Sequence, residues 1–355
     1  MVRANRAESR TTHLLKRTRM KSEIGTKELI DRSLIDRLRQ QGALVLDVDD
    51  TLLSRDSIGA KQESFVERPA ARLSELLRCG FTVCIMTGHG WRQLESRLMN
   101  PVIEQVKKDG NEDYIGRLYM YANRGATKII WDGKRHKLDE VYGYQYQLCE
   151  DDVPTLRRLL ESLAMDLCID VRARNKWYRE NFGKFDFDAA PASIEEREGA
   201  IMVLRPIPGP LHVTDLGSGL DMRAELLARG REMLQQAKLG CRYELACSGR
   251  SSIEISRRGV SKELAVHDLL RGLAESTGKA LHDIESSLIY LGDEFFPEGN
   301  DFVIALRFPA ALCLSVINDG NGQLPPNVVQ LPRFLHKKGI EAADEVLRHF
   351  ICLAR

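Results

Sequence analysis

The sequence predicts an α/β fold in which a doubly wound parallel sheet is interrupted by a smaller α+β unit. Near both ends of the chain, short apolar runs alternate with amphipathic helical segments. Between about residues 146 and 245 this alternation gives way to helices mixed with separated strands. Several apolar runs of the outer segments end in an aspartate or a threonine, which places polar side chains where a parallel sheet binds its ligands.

The first part of the chain alternates predicted strands and helices. A buried strand at 44–46 precedes a helix over 70–78, which we expect to begin after Pro69 because proline suits the first turn of a helix. A second buried strand follows at 81–86, and a helix is expected around 91–99. The stretch "LYMYANRGATKIIWDGK" predicts a strand, a turn and another strand.

The middle of the chain predicts an inserted α+β domain. Helices are expected at 154–164 and 222–237, and strands at "DLCIDVR", "GAIMVLRPI" and "CRYELACS". After the insert, a strand leads into a helix that begins at Ser261, and "SSLIYLGD" and "ALCLSVIND" are two more buried strands. An amphipathic helix at 342–353 closes the chain.

The N-terminal segment differs from the rest. Residues 1–21 carry seven Lys or Arg and one Glu without an apolar stretch, which excludes a secretory signal but leaves open a solvated tail or an organelle transit peptide. Residues 27–40 predict a short amphipathic helix. The chain therefore divides into a tail with its helix (1–40), a first part of the core (41–145), the insert (146–245) and a second part of the core (246–355).

The composition is that of a globular protein with room for about two domains in 355 residues. The 52 basic and 51 acidic residues nearly balance, so no excess charge favours a nucleic acid or a membrane surface as partner. No apolar run approaches the roughly 20 residues of a spanning helix. The eight cysteines form no CxxC pair or zinc-like cluster, so we expect a reducing, cytoplasmic setting. The oligomeric state stays open.

Three aspartates follow directly after a predicted buried strand. Asp47, Asp49 and Asp50 follow the strand at 44–46, and ionised carboxylates so close together repel one another and are costly to bury. Hard oxygen ligands suit Mg²⁺. Asp293 follows another predicted strand, and the carboxyl ends of parallel strands meet at one edge of a sheet. We therefore predict a magnesium site formed by Asp47, Asp49 and Asp293.

The same edge is equipped for phosphoryl transfer. The carboxylate of Asp47 can attack phosphorus, and Asp49 can act as general acid and base. Thr87 and the N–H of Gly88 can hold a phosphate oxygen, while Lys262 supplies a positive charge.

Beside these groups, Asn300 and Asp301 are expected to ligate the metal or to orient its ligands and Lys262. His89 could touch a phosphate, but a solvent-facing loop position is favoured.

Four stretches together resemble the motifs of the haloacid dehalogenase superfamily. They are, in chain order, Asp47-Val48-Asp49-Asp50-Thr51, the strand-terminal Thr87-Gly88, Lys262 after "RRGVS", and "GDEFFPEGND" at 292–301. The resemblance covers residues 41–355. It implies a Rossmann-like core with a cap domain, a Mg²⁺ cofactor and an aspartyl-phosphate intermediate.

Spacing indicates a branch of that superfamily. Residues 52–86 are too few for a domain, whereas residues 89–261 are domain-sized, so the cap follows the second motif. This is similar to subgroup IIB, which contains sugar-phosphate phosphatases and phosphomannomutases. Six residues separate Gly292-Asp293 from Asn300-Asp301, which resembles the longer spacing of the mutases.

We therefore expect a phosphoric monoester hydrolase that acts on a small phosphorylated metabolite, with a sugar phosphate as the favoured substrate. A phosphohexomutase and a non-enzymatic binding protein remain as alternatives. The cap stretch "DVRARNKWYRE" at 170–180 combines alternating basic residues with two aromatic residues. It can be a platform for an anionic sugar, a nucleic-acid contact or a solvated strand face.

Overall fold

The computed structural model describes eight segments of the chain. They are residues 30–53, 63–141, 144–165, 193–205, 223–248, 252–296, 299–317 and 324–355. The basic tail before residue 30 and the stretch at 170–180 lie outside them. Within these segments, no helix combines the length and the apolar character needed to cross a membrane.

The described segments contain twelve strands and eleven α-helices. The strands are β1 (Ala43–Asp47), β2 (Val83–Met86), β3 (Leu118–Ala122), β4 (Thr127–Asp132), β5 (Lys137–Glu140), β6 (Ser193–Arg197), β7 (Ile201–Arg205), β8 (Tyr243–Ser248), β9 (Ser252–Arg257), β10 (Leu288–Gly292), β11 (Leu312–Ser315) and β12 (Val328–Gln330). The helices are α1 (Arg32–Gln41), α2 (Glu63–Arg78), α3 (Trp91–Leu94), α4 (Asn100–Lys108), α5 (153–165), α6 (Arg223–Gln236), α7 (Lys262–Thr277), α8 (Leu281–Glu285), α9 (Phe302–Arg307), α10 (Pro332–Leu335) and α11 (Ile340–Ala354).

The main sheet has eight strands in the order β12-β11-β10-β1-β2-β3-β4-β5. The six strands from β12 to β3 are parallel, and β4 and β5 continue the sheet antiparallel. Strand β1 lies between β10 and β2, with Leu46 opposite Leu291 and Asp47 opposite Met86. The fold class expected from the sequence is confirmed, and its polar strand ends share one edge.

Both faces of the main sheet are covered by helices. All five residues of β1 are buried. Leu44 and Leu46 pack into a core shared with α1, α2, α4 and α11, whereas Ala43 and Val45 pack into the opposite core, shared with α7, α8 and α9. A strand buried on both faces is a continuous apolar run, which explains why β1 shows no alternation of polar residues.

A second, antiparallel sheet has the order β6-β7-β9-β8. Leucines of α5 and α6 pack on one of its faces and form a separate core. We expected β9 to belong to the second part of the main core, beyond the boundary at residue 245. Instead β9 pairs with β7 and β8, so this sheet extends to Arg257. The short alternating pattern of β9 fits either sheet, and the pairing decides between them.

Helix α2 begins earlier than expected. It starts at Glu63, so that Pro69 lies inside it rather than at its first turn. The proline removes one backbone hydrogen bond. Leu73, Leu76 and Leu77, all fully inaccessible, anchor the part of the helix that follows the proline.

Leucine substitutions test the double-sided core. Leu46 is fully buried in β1, whereas 56% of Leu306 in α9 is exposed. We expect Leu46→Ala to lower the free energy of unfolding by about 2–5 kcal/mol, because it leaves a cavity. The matched Leu306→Ala should change it by less than about 0.5 kcal/mol. Denaturant titration measures both, and equal losses would contradict the packing described.

Candidate active site

Four separate stretches converge at the carboxyl edge of the main sheet. Asp47 ends β1, Thr87 follows β2, Asp293 follows β10, and Lys262 begins α7. The hydroxyl of Ser261 accepts a hydrogen bond from the N–H of Leu264 at 3.2 Å and caps α7 at that point. The sequence-based expectation that these residues gather at one edge agrees with this placement.

A buried lysine links two carboxylates at the centre of the site. The Nζ atom of Lys262 lies 2.7 Å from Oδ1 of Asp47 and 2.6 Å from Oδ1 of Asp301. The side chains are 2%, 7% and 0% exposed, respectively. Charge-assisted hydrogen bonds of this length in a dry site are strong and hold all three groups in place.

Asp301 has both of its oxygens engaged. Oδ1 accepts from Lys262 and from the hydroxyl of Tyr290, at 2.6 and 2.5 Å. Oδ2 accepts from the backbone N–H groups of Asp293 and Glu294, at 3.1 and 3.0 Å. A β-carbon at Gly292 would lie 2.3 Å from that oxygen, so only glycine lets the carboxylate approach. Asp301 therefore orients Lys262 and the loop that carries Asp293.

Burial controls the protonation of these groups. It raises the pKa of Asp47 to about 8, against the lowering effect of Lys262. Burial alone would lower the pKa of Lys262, but Asp301 and Asp47 outweigh it and raise that pKa, so the ammonium stays charged. The pKa of Tyr290 lies well above its ordinary value because the phenol is buried and faces Asp301, so it remains a donor.

The site has donor atoms that fit a hard divalent cation. Carboxylate oxygens of Asp47, Asp293 and Asp301 lie within 4.8 Å of one another and are buried. Because four donors already engage Asp301, Asp47 and Asp293 are better placed as ligands. The Oδ1 atom of Asn300 is buried and accepts no hydrogen bond from the described residues, so it is a further candidate oxygen.

Asp49 does not join this group of carboxylates. Its Oδ2 atom lies 3.1 Å from Nε2 of His89, and about a fifth of each side chain is exposed. The solvent-facing position favoured for His89 is therefore wrong, because the chain turns after β2 and directs the imidazole toward Asp49. The chain also turns after Asp47, since the N–H groups of Thr51, Leu52 and Leu53 all bond to the carbonyl of Val48.

Thr87 and Gly88 form a tightly held loop beside Asp47. Thr87 is fully buried, and its Oγ1 atom accepts a hydrogen bond from the N–H of His89 at 3.0 Å. The carbonyl of Gly88 accepts from Nη1 of Arg197, in the second sheet, at 2.8 Å. The main sheet and the second sheet therefore meet at the predicted phosphate-binding residues.

Solved structures share this architecture. An N-terminally truncated, IMP-bound IMP-nucleotidase from Plasmodium falciparum aligns with a TM-score of 0.52 at 16% identity, over 90% of this chain and 71% of that chain. Another structure of the truncated protein aligns with the same TM-score at 14% identity, over 90% and 73% of the two chains. No protein-family model and no curated protein sequence matches this chain.

At this level of identity the likeness shows the fold alone. What the chain shares with these structures is a mostly parallel core sheet flanked by helices, with an inserted α+β unit. This agrees with the resemblance found in the sequence motifs.

Sequence reasoning missed three residues at this site. Tyr290, Arg197 and Glu198 were not singled out, although each contacts a candidate residue or its loop. Tyr290 gave a usable signal, because a tyrosine in a fully buried strand needs a partner for its hydroxyl. Arg197 and Glu198 gave none, since charged residues at the end of a strand and in the following turn are usually solvent-exposed.

The charge on Lys262 is expected to stabilise the metal-free protein. Lys262→Met would leave two carboxylates buried side by side, so the free energy of unfolding should fall by about 3–5 kcal/mol. The control is Lys337→Met, which removes a surface pair with Glu345 at 2.9 Å and should cost about 0–1 kcal/mol. Denaturant unfolding in EDTA measures both, and similar losses would show that Lys262 is not a buried counter-charge.

Proposed function

We propose that this protein is a Mg²⁺-dependent phosphatase that hydrolyses a small phosphorylated metabolite through an aspartyl-phosphate. One observation carries the proposal: the buried Asp47 carboxylate lies within 2.7 Å of Lys262 and within 4.8 Å of the Asp293 carboxylate, at the carboxyl edge of a parallel sheet. The shared fold with a nucleotidase supports the reaction class but not its substrate.

The proposed reaction has two steps. An oxygen of Asp47 attacks phosphorus, the bond from phosphorus to the ester oxygen breaks, and Asp49 donates its proton to the leaving alcohol. Asp49, now a carboxylate, then takes a proton from a water molecule. That water attacks the phosphorus of the aspartyl-phosphate, which releases inorganic phosphate and restores Asp47. Thr87 and the N–H of Gly88 hold the phosphoryl oxygens, and Lys262 balances their charge.

Asp47 and Asp293 are the proposed metal ligands, together with the Oδ1 atom of Asn300. A bound Mg²⁺ would neutralise the carboxylates and favour the approach of an anionic phosphate. It would also favour the ionised form of Asp47, whose pKa burial raises to about 8. Asp301 acts indirectly in this scheme, because it holds Lys262 and the backbone at Asp293.

The proposed substrate is a phosphosugar or a molecule that contains one. The α+β insert lies between the second and third motifs, the order of subgroup IIB, and would cover the site. Nucleoside monophosphates carry a phosphorylated sugar, and IMP is bound in the similar nucleotidase, so they belong in the same screen.

A phosphate-release screen tests the proposal directly. The panel comprises hexose and pentose phosphates, trehalose phosphate and nucleoside 5′-monophosphates, each with Mg²⁺. At least one should release inorganic phosphate, and EDTA should abolish the release until Mg²⁺ is added in excess. Asp47→Asn should lower kcat/KM on the order of a thousandfold or more, because it removes the nucleophile.

Asp109→Asn is the matched control for Asp47→Asn, because Asp109 pairs with Arg78 away from the site. It should retain activity. No phosphate from any member of the panel, or full activity of Asp47→Asn, would refute the proposal.

A phosphohexomutase remains the second candidate, because the long fourth motif resembles that of the mutases. The two functions differ in the acceptor of the phosphoryl group, which is water or a second hydroxyl of the sugar. Incubating hexose 1-phosphates with the protein, with and without a hexose bisphosphate, distinguishes them. We expect inorganic phosphate to accumulate, and conversion to hexose 6-phosphate without phosphate release would favour the mutase.

A further inference from the structure

The turn between β6 and β7 contacts the loop that carries Thr87. We call residues 87–92 the Thr87 loop. Arg197 donates from Nη1 to the carbonyl of Gly88 at 2.8 Å. The carboxylate of Glu198 accepts from the backbone N–H groups of Trp91 and Arg92, at 3.1 and 3.0 Å. Adjacent residues of the second sheet therefore hold both ends of one loop of the main sheet.

Arg197 is itself fixed in position. It is 6% exposed, and its guanidinium lies 3.3 Å from both Glu254 and Glu195. Glu254 belongs to β9, has a fully buried side chain and also lies 3.5 Å from Nη1 of Arg124. A buried and paired guanidinium has little rotational freedom, so the position of the second sheet determines where Gly88 is held.

The contact from Arg197 reaches the hydroxyl of Thr87 through one peptide group. That group joins Gly88 to His89: its carbonyl accepts from Arg197, and its N–H donates to Oγ1 of Thr87 at 3.0 Å. Because Oγ1 is an acceptor in this bond, the hydroxyl proton is left to donate elsewhere. An anion beside Thr87 is the complementary acceptor.

Glu198 adds a third contact on the main sheet. Its Oε2 atom accepts from Nδ2 of Asn123 at 2.9 Å, and Asn123 is fully buried. The N–H of Asn123 donates to the carbonyl of His89 at 2.9 Å. One carboxylate thus joins the Thr87 loop to the turn after β3.

We propose that Arg197 and Glu198 are positioning residues that couple docking of the second sheet to the geometry of the phosphate-binding Thr87 loop. This inference rests on the proposed phosphatase function for its catalytic consequence. When the second sheet is docked, Arg197 fixes the orientation of the Gly88–His89 peptide group, and Glu198 holds the C-terminal end of the loop at Trp91 and Arg92. When the contact is broken, the loop loses three hydrogen bonds and Thr87 loses its fixed orientation.

The test combines variants on both sides of the contact. Glu198→Ala removes the acceptor, and Glu198→Gln keeps one acceptor oxygen. Gly90→Ala disturbs the same contact from the side of the main sheet: a β-carbon at this position would lie 2.7 Å from Oε1 of Glu198 and push the carboxylate away. The φ of −65° at Gly90 accommodates alanine without backbone strain. Glu196→Ala is the matched control, since Glu196 lies two residues before Glu198, in β6, and pairs with Arg157 of α5 at 3.0 Å.

Hydrogen exchange reports the positioning without requiring activity. In Glu198→Ala and Gly90→Ala, amide exchange of residues 87–92 should be faster by about tenfold, because hydrogen bonds to a charged acceptor are lost. The exchange rate of the loop in Glu198→Gln should lie between the rates of these variants and that of the wild type. The double variant Glu198→Ala/Gly90→Ala should exchange no faster than either single variant, because both substitutions break the same contact. Unchanged exchange of the loop in Glu198→Ala, or the same change in Glu196→Ala, would overturn the inference.

Binding and kinetics separate this inference from the proposed function. With Mg²⁺ and beryllium fluoride as the phosphoryl mimic, Glu198→Ala should bind about tenfold more weakly, and kcat should fall about 10–100-fold with a smaller change in KM. Undiminished binding and kcat despite faster loop exchange would overturn the coupling to the site. A wild-type protein that releases no phosphate would instead refute the phosphatase function, while the exchange result still decides whether Glu198 holds the loop.

Discussion

The buried ammonium of Lys262 between Asp47 and Asp301 is the interaction on which the site depends. Three carboxylates and one ammonium, when all are ionised, carry a net charge of −2 in a region that excludes water. This charge matches a divalent cation, and a dry environment makes the match energetically important. Burial raises the pKa of Asp47 to about 8, which shows how costly its charge is without such compensation. The same arrangement is the one that the proposed metal-dependent reaction would use.

The sheet topology places these groups side by side although they are far apart in the sequence. Strands β10, β1 and β2 are neighbours, so Asp293, Asp47 and Thr87 follow adjacent parallel strands. The second sheet occupies the chain between β5 and α7, where it leaves the order of the parallel strands unchanged. Its strand β9 ends at Arg257, shortly before Lys262 begins α7. The position of the second sheet is therefore linked to the lysine through the chain as well as to Gly88 through Arg197.

Much of the site could be inferred from local patterns. Asp47 and Asp293 stand at the ends of short apolar runs that indicate buried strands, and Ser261 before Lys262 has the residue type that begins a helix. Parallel packing then brings such positions to one edge. The partner of Asp49 could not be inferred, because its direction depends on the turn after Asp47 and on the turn that carries His89. The sheet to which β9 belongs was misjudged for a similar reason, since a short strand does not encode its partner.

Local residue patterns are enough to predict the α/β class, the strand ends that carry the carboxylates and the lysine at the start of a helix, because hydrophobic periodicity and capping act over a few residues. The contacts of Asp301 with Tyr290 and two backbone N–H groups, by contrast, come from the tertiary packing of separate segments. So do the contacts of Arg197 and Glu198 with the Thr87 loop. Arg197 and Gly88 are 109 positions apart. Such contacts depend on how two sheets pack against each other, and no local pattern of residues specifies that packing.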